Sequence, residues 1–83
     1  MRIDRFLFFI RLVKSRTLAQ GVVDTGLVRI DGKRVEKAAE HVVVGSTIAL
    51  ALNGEVRVLR VLSLPSRRGP AAEARACYEE LRN

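Results

Sequence analysis

The side chains best placed to do chemistry form two small basic groups. Lys14, Ser15 and Arg16 precede an amphipathic run, and Lys33 and Arg34 follow a chain reversal at Asp31-Gly32. The first N–H groups of a helix have no partner within it, and the helix dipole favours negative charge there. Two cations and a hydroxyl at that position therefore read as a phosphate site. Lys33 and Arg34 offer a second grip on a polyanion, with Arg5, Arg11 and Lys37 at the margins. No residue set points to bond-breaking. His41 has no Cys or paired acid at metal-ligand spacing and reads as a strand-end residue, and Ser15 has no His nearby and reads as a helix cap. Cys77 lies on an apolar helical face, where it packs as a small hydrophobe. There is no Gly-rich phosphate loop or metal motif, so the expectation is a non-catalytic binder without a cofactor.

Charge supports that expectation. The net charge is +6, and residues 1–37 hold nine basic against four acidic side chains, while the remainder holds six against five. A basic excess gathered at turns in one half is the electrostatic footprint of a nucleic-acid-binding surface. The aromatic residues Phe6, Phe8, Phe9 and Tyr78 offer no base-stacking platform, so recognition is expected to lean on phosphate geometry and RNA shape. Eighty-three residues make one domain with one modest core. A lone cysteine permits no internal disulfide and points to a reducing compartment. The start of the chain shows no signal-peptide pattern, and the apolar run at residues 6–10 is far too short to cross a bilayer. A cytoplasmic protein without membrane contact is expected.

Several elements must position these residues. Ile3, Phe6, Leu7, Ile10 and Val13 share one stripe at helical spacing, which predicts a first helix over residues 3–13 with Asp4 complementing its dipole. Phe8 and Leu12 fall off that stripe. A second helix starts at an N-cap Ser15, buries Leu18, Ala19, Val22 and Val23, and stops at Gly26 in a left-handed cap. Gly21 inside it is expected to allow close approach of the first helix. From Leu27 the period becomes alternating, with Val28 and Ile30 facing one way and Arg29 the other. Asp31-Gly32 predicts a hairpin, Gly45-Ser46 a turn, and Asn53-Gly54 a second hairpin between strands over 47–52 and 56–64. For that second hairpin a three-residue loop pairs Leu50 with Val56 and Ile48 with Val58, which keeps Arg57 off the apolar face.

The expected fold class is α+β: two N-terminal helices on a small, mostly antiparallel sheet, plus a C-terminal helix. Residues 1–64 form the domain, 65–69 a Pro- and Gly-containing linker, and 70–83 a helix whose Ala74, Cys77, Tyr78 and Leu81 dock over Phe8 and part of Leu12.

Three stretches in combination resemble a known family. Met1-Arg2-Ile3-Asp4-Arg5-Phe6-Leu7, then Arg11-Leu12-Val13-Lys14-Ser15-Arg16-Thr17-Leu18-Ala19, then Gly26-Leu27-Val28-Arg29-Ile30-Asp31-Gly32-Lys33-Arg34-Val35 with Val44-Gly45, are similar to the RNA-binding domain first defined in small-subunit ribosomal protein four, the S-four domain. The likeness covers residues 2–52. It implies two helices followed by a small sheet, with RNA held against the helix-loop-helix and the first hairpin. The matching positions are Arg11, Lys14, Ser15 and Arg16, with Lys33 and Arg34 after the turn. The layout of the whole chain is similar to free-standing, ribosome-associated heat-shock members of the family, which implies ribosomal RNA or tRNA, and the large ribosomal subunit, as partners. No small-molecule substrate and no obligatory oligomer are implied.

A second class competes, a helix-turn-helix-like DNA-binding or protein-interaction module. The second helix offers only Arg16, Gln20 and Asp24 as polar readers, and Asp24 opposes entry into a DNA groove.

Overall fold

A computed structural model describes residues 1–81. Its elements in chain order are α1 (Ile3–Phe9), α2 (Arg16–Asp24), β1 (Val28–Ile30), β2 (Lys33–Arg34), β3 (Thr47–Leu52), β4 (Glu55–Val61), α3 (Ala71–Arg75) and β5 (Tyr78–Glu80). The strands form one antiparallel sheet in the order β2-β1-β3-β4-β5. This is the expected α+β arrangement, with an additional strand at its end.

The expected stripe of α1 is the core: Ile3, Phe6, Leu7, Ile10 and Val13 are buried with Val28, Ile48, Leu50, Leu59 and Val61 of the sheet. The helix itself stops four residues earlier than its period predicts. Arg11 takes φ 65, and the Arg11 and Leu12 N–H groups close back onto the Phe8 and Leu7 carbonyls. That is the Schellman ending usually built on glycine. A left-handed arginine costs roughly 1–2 kcal/mol, partly offset by a 2.6 Å hydrogen bond from Arg11 Nε to the Gly69 carbonyl.

Helix α2 begins as expected: Ser15 is extended, and its Oγ accepts from the Leu18 N–H at 3.1 Å. Gly26 follows at φ 77 and ends the helix. Two expectations for this helix fail. Leu18 is 53% exposed, because Ala19 and Val23 alone turn fully into the core. Gly21 faces open space, with nothing within 4 Å of where its Cβ would stand, so no close helix approach requires it.

Both hairpins turn on two left-handed residues, Asp31 (φ 50) with Gly32 (φ 84) and Asn53 (φ 51) with Gly54 (φ 79). These are type I′ turns, whose twist matches that of the flanking strands. The second hairpin therefore has a two-residue loop, with Leu50 opposite Arg57 and Leu52 opposite Glu55, and the expected pairing of Leu50 with Val56 is overturned. Arg57 is tolerated on that face because Glu80 receives it with two hydrogen bonds, 3.0 and 2.6 Å.

Glu80 belongs to the tail, where the expected long helix is also corrected. The chain makes one short helix, α3, and then β5, which extends the sheet along β4. Residues 82–83 of the expected helix lie outside the described residues. Arg68 of the linker covers Phe8, while Ala71 and Ala74 of the short helix and Tyr78 line one cleft with Leu12. Arg68 lies 4.7 Å above the Phe8 ring, and its guanidinium donates to the Phe8 and Val13 carbonyls at 3.1 and 3.4 Å. Those carbonyls end α1 and its following turn, where a cation is favoured.

Candidate nucleic-acid interface

The site is organised by a buried acid. Asp4, fully buried in the first turn of α1, accepts two 3.0 Å hydrogen bonds from the Arg2 guanidinium, one from Gln20 Nε2 at 3.2 Å and one from the Arg5 N–H at 2.8 Å. Burial opposes its ionisation, but the hydrogen bonds from Arg2, Gln20 and the Arg5 N–H outweigh that and hold the carboxyl below its usual range. Asp4 also draws in Arg16, whose guanidinium lies 3.6 Å from Oδ2. A single carboxylate thus ties the start of α1 to the start of α2 and sets where Arg16 stands. Complementing the helix dipole is the smaller part of its task.

Around the start of α2, Lys14 and Arg16 are exposed on either side of the capping Ser15. Since Ser15 Oγ already accepts from Leu18, its contribution is to fix the first turn of α2 between two exposed cations. Arg5 lies on the outer side of α1 with its guanidinium 5.6 Å from the Phe9 ring centre. Arg11 is exposed but turned to the tail through its bond to Gly69.

The second cluster sits at the other end of α2. The nine residues of that helix span ~13 Å at 1.5 Å each. The two-residue turn places Arg34 opposite Arg29 and Lys33 opposite Ile30. Arg34 reaches back over the helix end, such that a Cβ on Gly26 would stand 2.6 Å from its guanidinium nitrogen. Two arginines side by side on neighbouring strands repel each other. Their nearest neutralising group is Glu36, 3.9 Å from Arg34. Asp31, by contrast, is occupied: its Oδ1 accepts from the Thr47 N–H at 2.8 Å. Lys37 is exposed in the following loop, where Glu40 folds its carboxylate onto the N–H groups of Lys37 and Glu36, which hold it below the usual range.

Two basic residues were missed by sequence reasoning. Arg29 joins Arg34 because a two-residue turn makes them partners, a relation legible once that turn type is accepted. Arg2 is held by Asp4, and the signal was the Arg2-x-Asp4 spacing within the motif itself. Among the described residues no three His, Cys, Asp or Glu side chains gather as metal ligands, and no helix is long and apolar enough to cross a membrane. Cys77 is buried, with Sγ 3.4 Å from the Glu73 carbonyl.

Two helices joined through a buried acid, set on an antiparallel sheet with basic turns at both ends of the second helix, define a small α+β module of one family. The S4 domain family matches residues 1–48, and the chain belongs to it. It is 32% identical over 80 residues to heat shock protein 15 of Escherichia coli K12, covering 96% of this chain and 59% of that protein. It is 36% identical over 64 residues to the RQC P-site tRNA stabilizing factor of Bacillus subtilis, covering 77% and 73%. Among solved structures, a trimeric structure of Vibrio cholerae heat shock protein 15 superposes with a TM-score of 0.91 at 30% identity, over 98% of this chain and 81% of that one. The chain thus spans 59% of the length of the Escherichia coli relative.

Proposed function

We propose that this chain is a non-catalytic, cytoplasmic RNA-binding protein that holds structured RNA, either ribosomal RNA or tRNA, on the large ribosomal subunit. The observation that carries the reading is the pair of basic clusters at the two ends of α2 within an S4 domain. Lys14, Arg16 and the free N–H groups after Ser15 take one stretch of phosphate. Lys33 and Arg34, joined by Arg29, take another roughly 13 Å away. Arg5, Arg11 and Lys37 line the margins. All of these residues come from one chain, so the reading requires no oligomer.

Support for the ribosomal part comes from the relatives. The Bacillus subtilis protein is named for stabilizing P-site tRNA, and the Escherichia coli protein for heat shock. A role in rescue or stress at the ribosome follows as the finer part of the proposal.

Competition between a labelled tRNA or ribosomal RNA hairpin and unlabelled DNA duplex tests the RNA reading. RNA is expected to be retained against a large excess of DNA. Equal displacement by DNA contradicts it. Co-sedimentation with isolated large subunits tests the finer part.

A further inference from the structure

Leu18 stands in the first turn of α2, directly beside the proposed phosphate site, with 53% of its surface in solvent. Single exposed leucines are ordinary, but this one is not isolated. With Leu12, Val22 and Leu52 it floors an open groove of about 280 Å³, and Lys14 and Asn53 stand on the rim. The groove runs between the start of α2 and the tip of the β3–β4 hairpin.

Three features of the groove bear on what it holds. Its floor is aliphatic, and branched apolar side chains pack against the face of an unstacked base, as they do in pockets that take flipped-out bases. Its rim carries one amide, on a residue whose backbone is fixed at φ 51 by a type I′ turn. An amide supplies a donor and an acceptor together, which suits the edge of a base. Its other rim residue, Lys14, also belongs to the phosphate cluster, so a nucleotide held there by its phosphate has its base over the groove. None of the aromatic side chains lines this groove. Phe6 is buried, Phe8 lies under Arg68, Phe9 lies beside Arg5, and Tyr78 is half-buried in β5.

We infer that the groove between Leu18 and Asn53 takes one unstacked nucleobase from a loop or bulge of the bound RNA, an inference that rests on the RNA-binding reading above. Recognition then has a component that phosphate geometry lacks: single-stranded nucleotides are distinguished from paired ones.

Two variants isolate the groove. Leu18→Ala lowers the floor, and Asn53→Gly removes the amide while keeping a residue that accepts positive φ. Each is compared with the parent chain for binding to an RNA hairpin with an unpaired loop and to a fully paired RNA duplex of the same stem. Both variants are expected to weaken hairpin binding roughly 5-fold, the scale of one lost apolar contact or one lost hydrogen bond. Duplex binding and the salt dependence of hairpin binding stay unchanged, because no phosphate contact is lost. Undiminished hairpin binding overturns the inference. So does an equal loss on hairpin and duplex, which assigns both residues to supporting the phosphate site. Failure of the parent chain to bind either RNA refutes the RNA reading itself, and the groove falls with it.

Discussion

Arg57 of β4 and Glu80 of β5 meet in a paired, two-bond contact at 3.0 and 2.6 Å. Glu80 and the burial of the site act on Arg57 in opposite senses; the hydrogen bonds from Glu80 prevail and raise its already high pKa. The pair explains two features together. It lets an arginine occupy the core-facing register position opposite Leu50, and it fastens the tail to the sheet as a fifth strand.

The tail is therefore expected to contribute to stability well beyond this pair. Both side chains keep partial solvent contact, so Glu80→Ala costs about 1 kcal/mol or less. Deleting residues 70–83 also removes the β4–β5 pairing and the buried Ala74 and Cys77, and costs on the order of a few kcal/mol. Thermal unfolding of the two variants checks the order. Equal melting points for parent and deletion leave the tail outside the cooperative unit.

Asp4 sets a pH dependence. Its folded pKa is held below the ordinary value of 3.8. The stabilisation is complete above that value and is lost as pH falls through the lower, folded one. Asp4→Asn is expected to cost about 2 kcal/mol at neutral pH and to flatten the acid limb of the stability profile. Chemical denaturation between neutral and acid pH measures both. Parallel profiles for parent and variant assign the acid sensitivity to other carboxylates.

Gly21→Ala should stabilise the domain. The position is mid-helix, its Cβ would meet nothing within 4 Å, and glycine costs roughly 0.5–1 kcal/mol there relative to alanine. A melting point that falls in the variant shows a constraint on Gly21 absent from the packing.

Residues that carry their own backbone signal were legible in the sequence. Ser15, Gly26, Asp31-Gly32 and Asn53-Gly54 are where an N-cap, a left-handed stop and two tight turns are expected. The early end of α1 was hidden because an arginine, Arg11, fills a position usually held by glycine. The fifth strand was hidden because its helical spacing of Ala74, Cys77, Tyr78 and Leu81 is short enough to serve a helical turn followed by a strand. The register of the second hairpin follows from the two-residue Asn53-Gly54 turn; what stayed hidden was Glu80, 23 residues from Arg57, the partner that admits an arginine to that face. Of the candidate site, the cations were legible as residues. Their grouping around Asp4 at one end of α2 and around Gly26 at the other required the fold.

Arg29, the basic residue brought in by the first hairpin, should count as a phosphate contact. Arg29→Ala is expected to weaken RNA binding several-fold for all sequences alike and to reduce the salt slope by ~0.7. Titrations at two or more salt concentrations check it. A change confined to one RNA sequence points instead to base readout by Arg29.

The central claim is that the start of α2 grips RNA phosphate, and the most direct measurement is the salt dependence of affinity for the Lys14→Ala, Arg16→Ala double variant. If the parent chain contacts some seven phosphates, its log affinity falls against log salt with a slope of roughly −5, at ~0.7 per contact. The double variant is predicted to bind more weakly at low salt, with a slope shallower by about 1.4, and to unfold no less cooperatively than the parent. An unchanged affinity and slope in the double variant contradicts the claim.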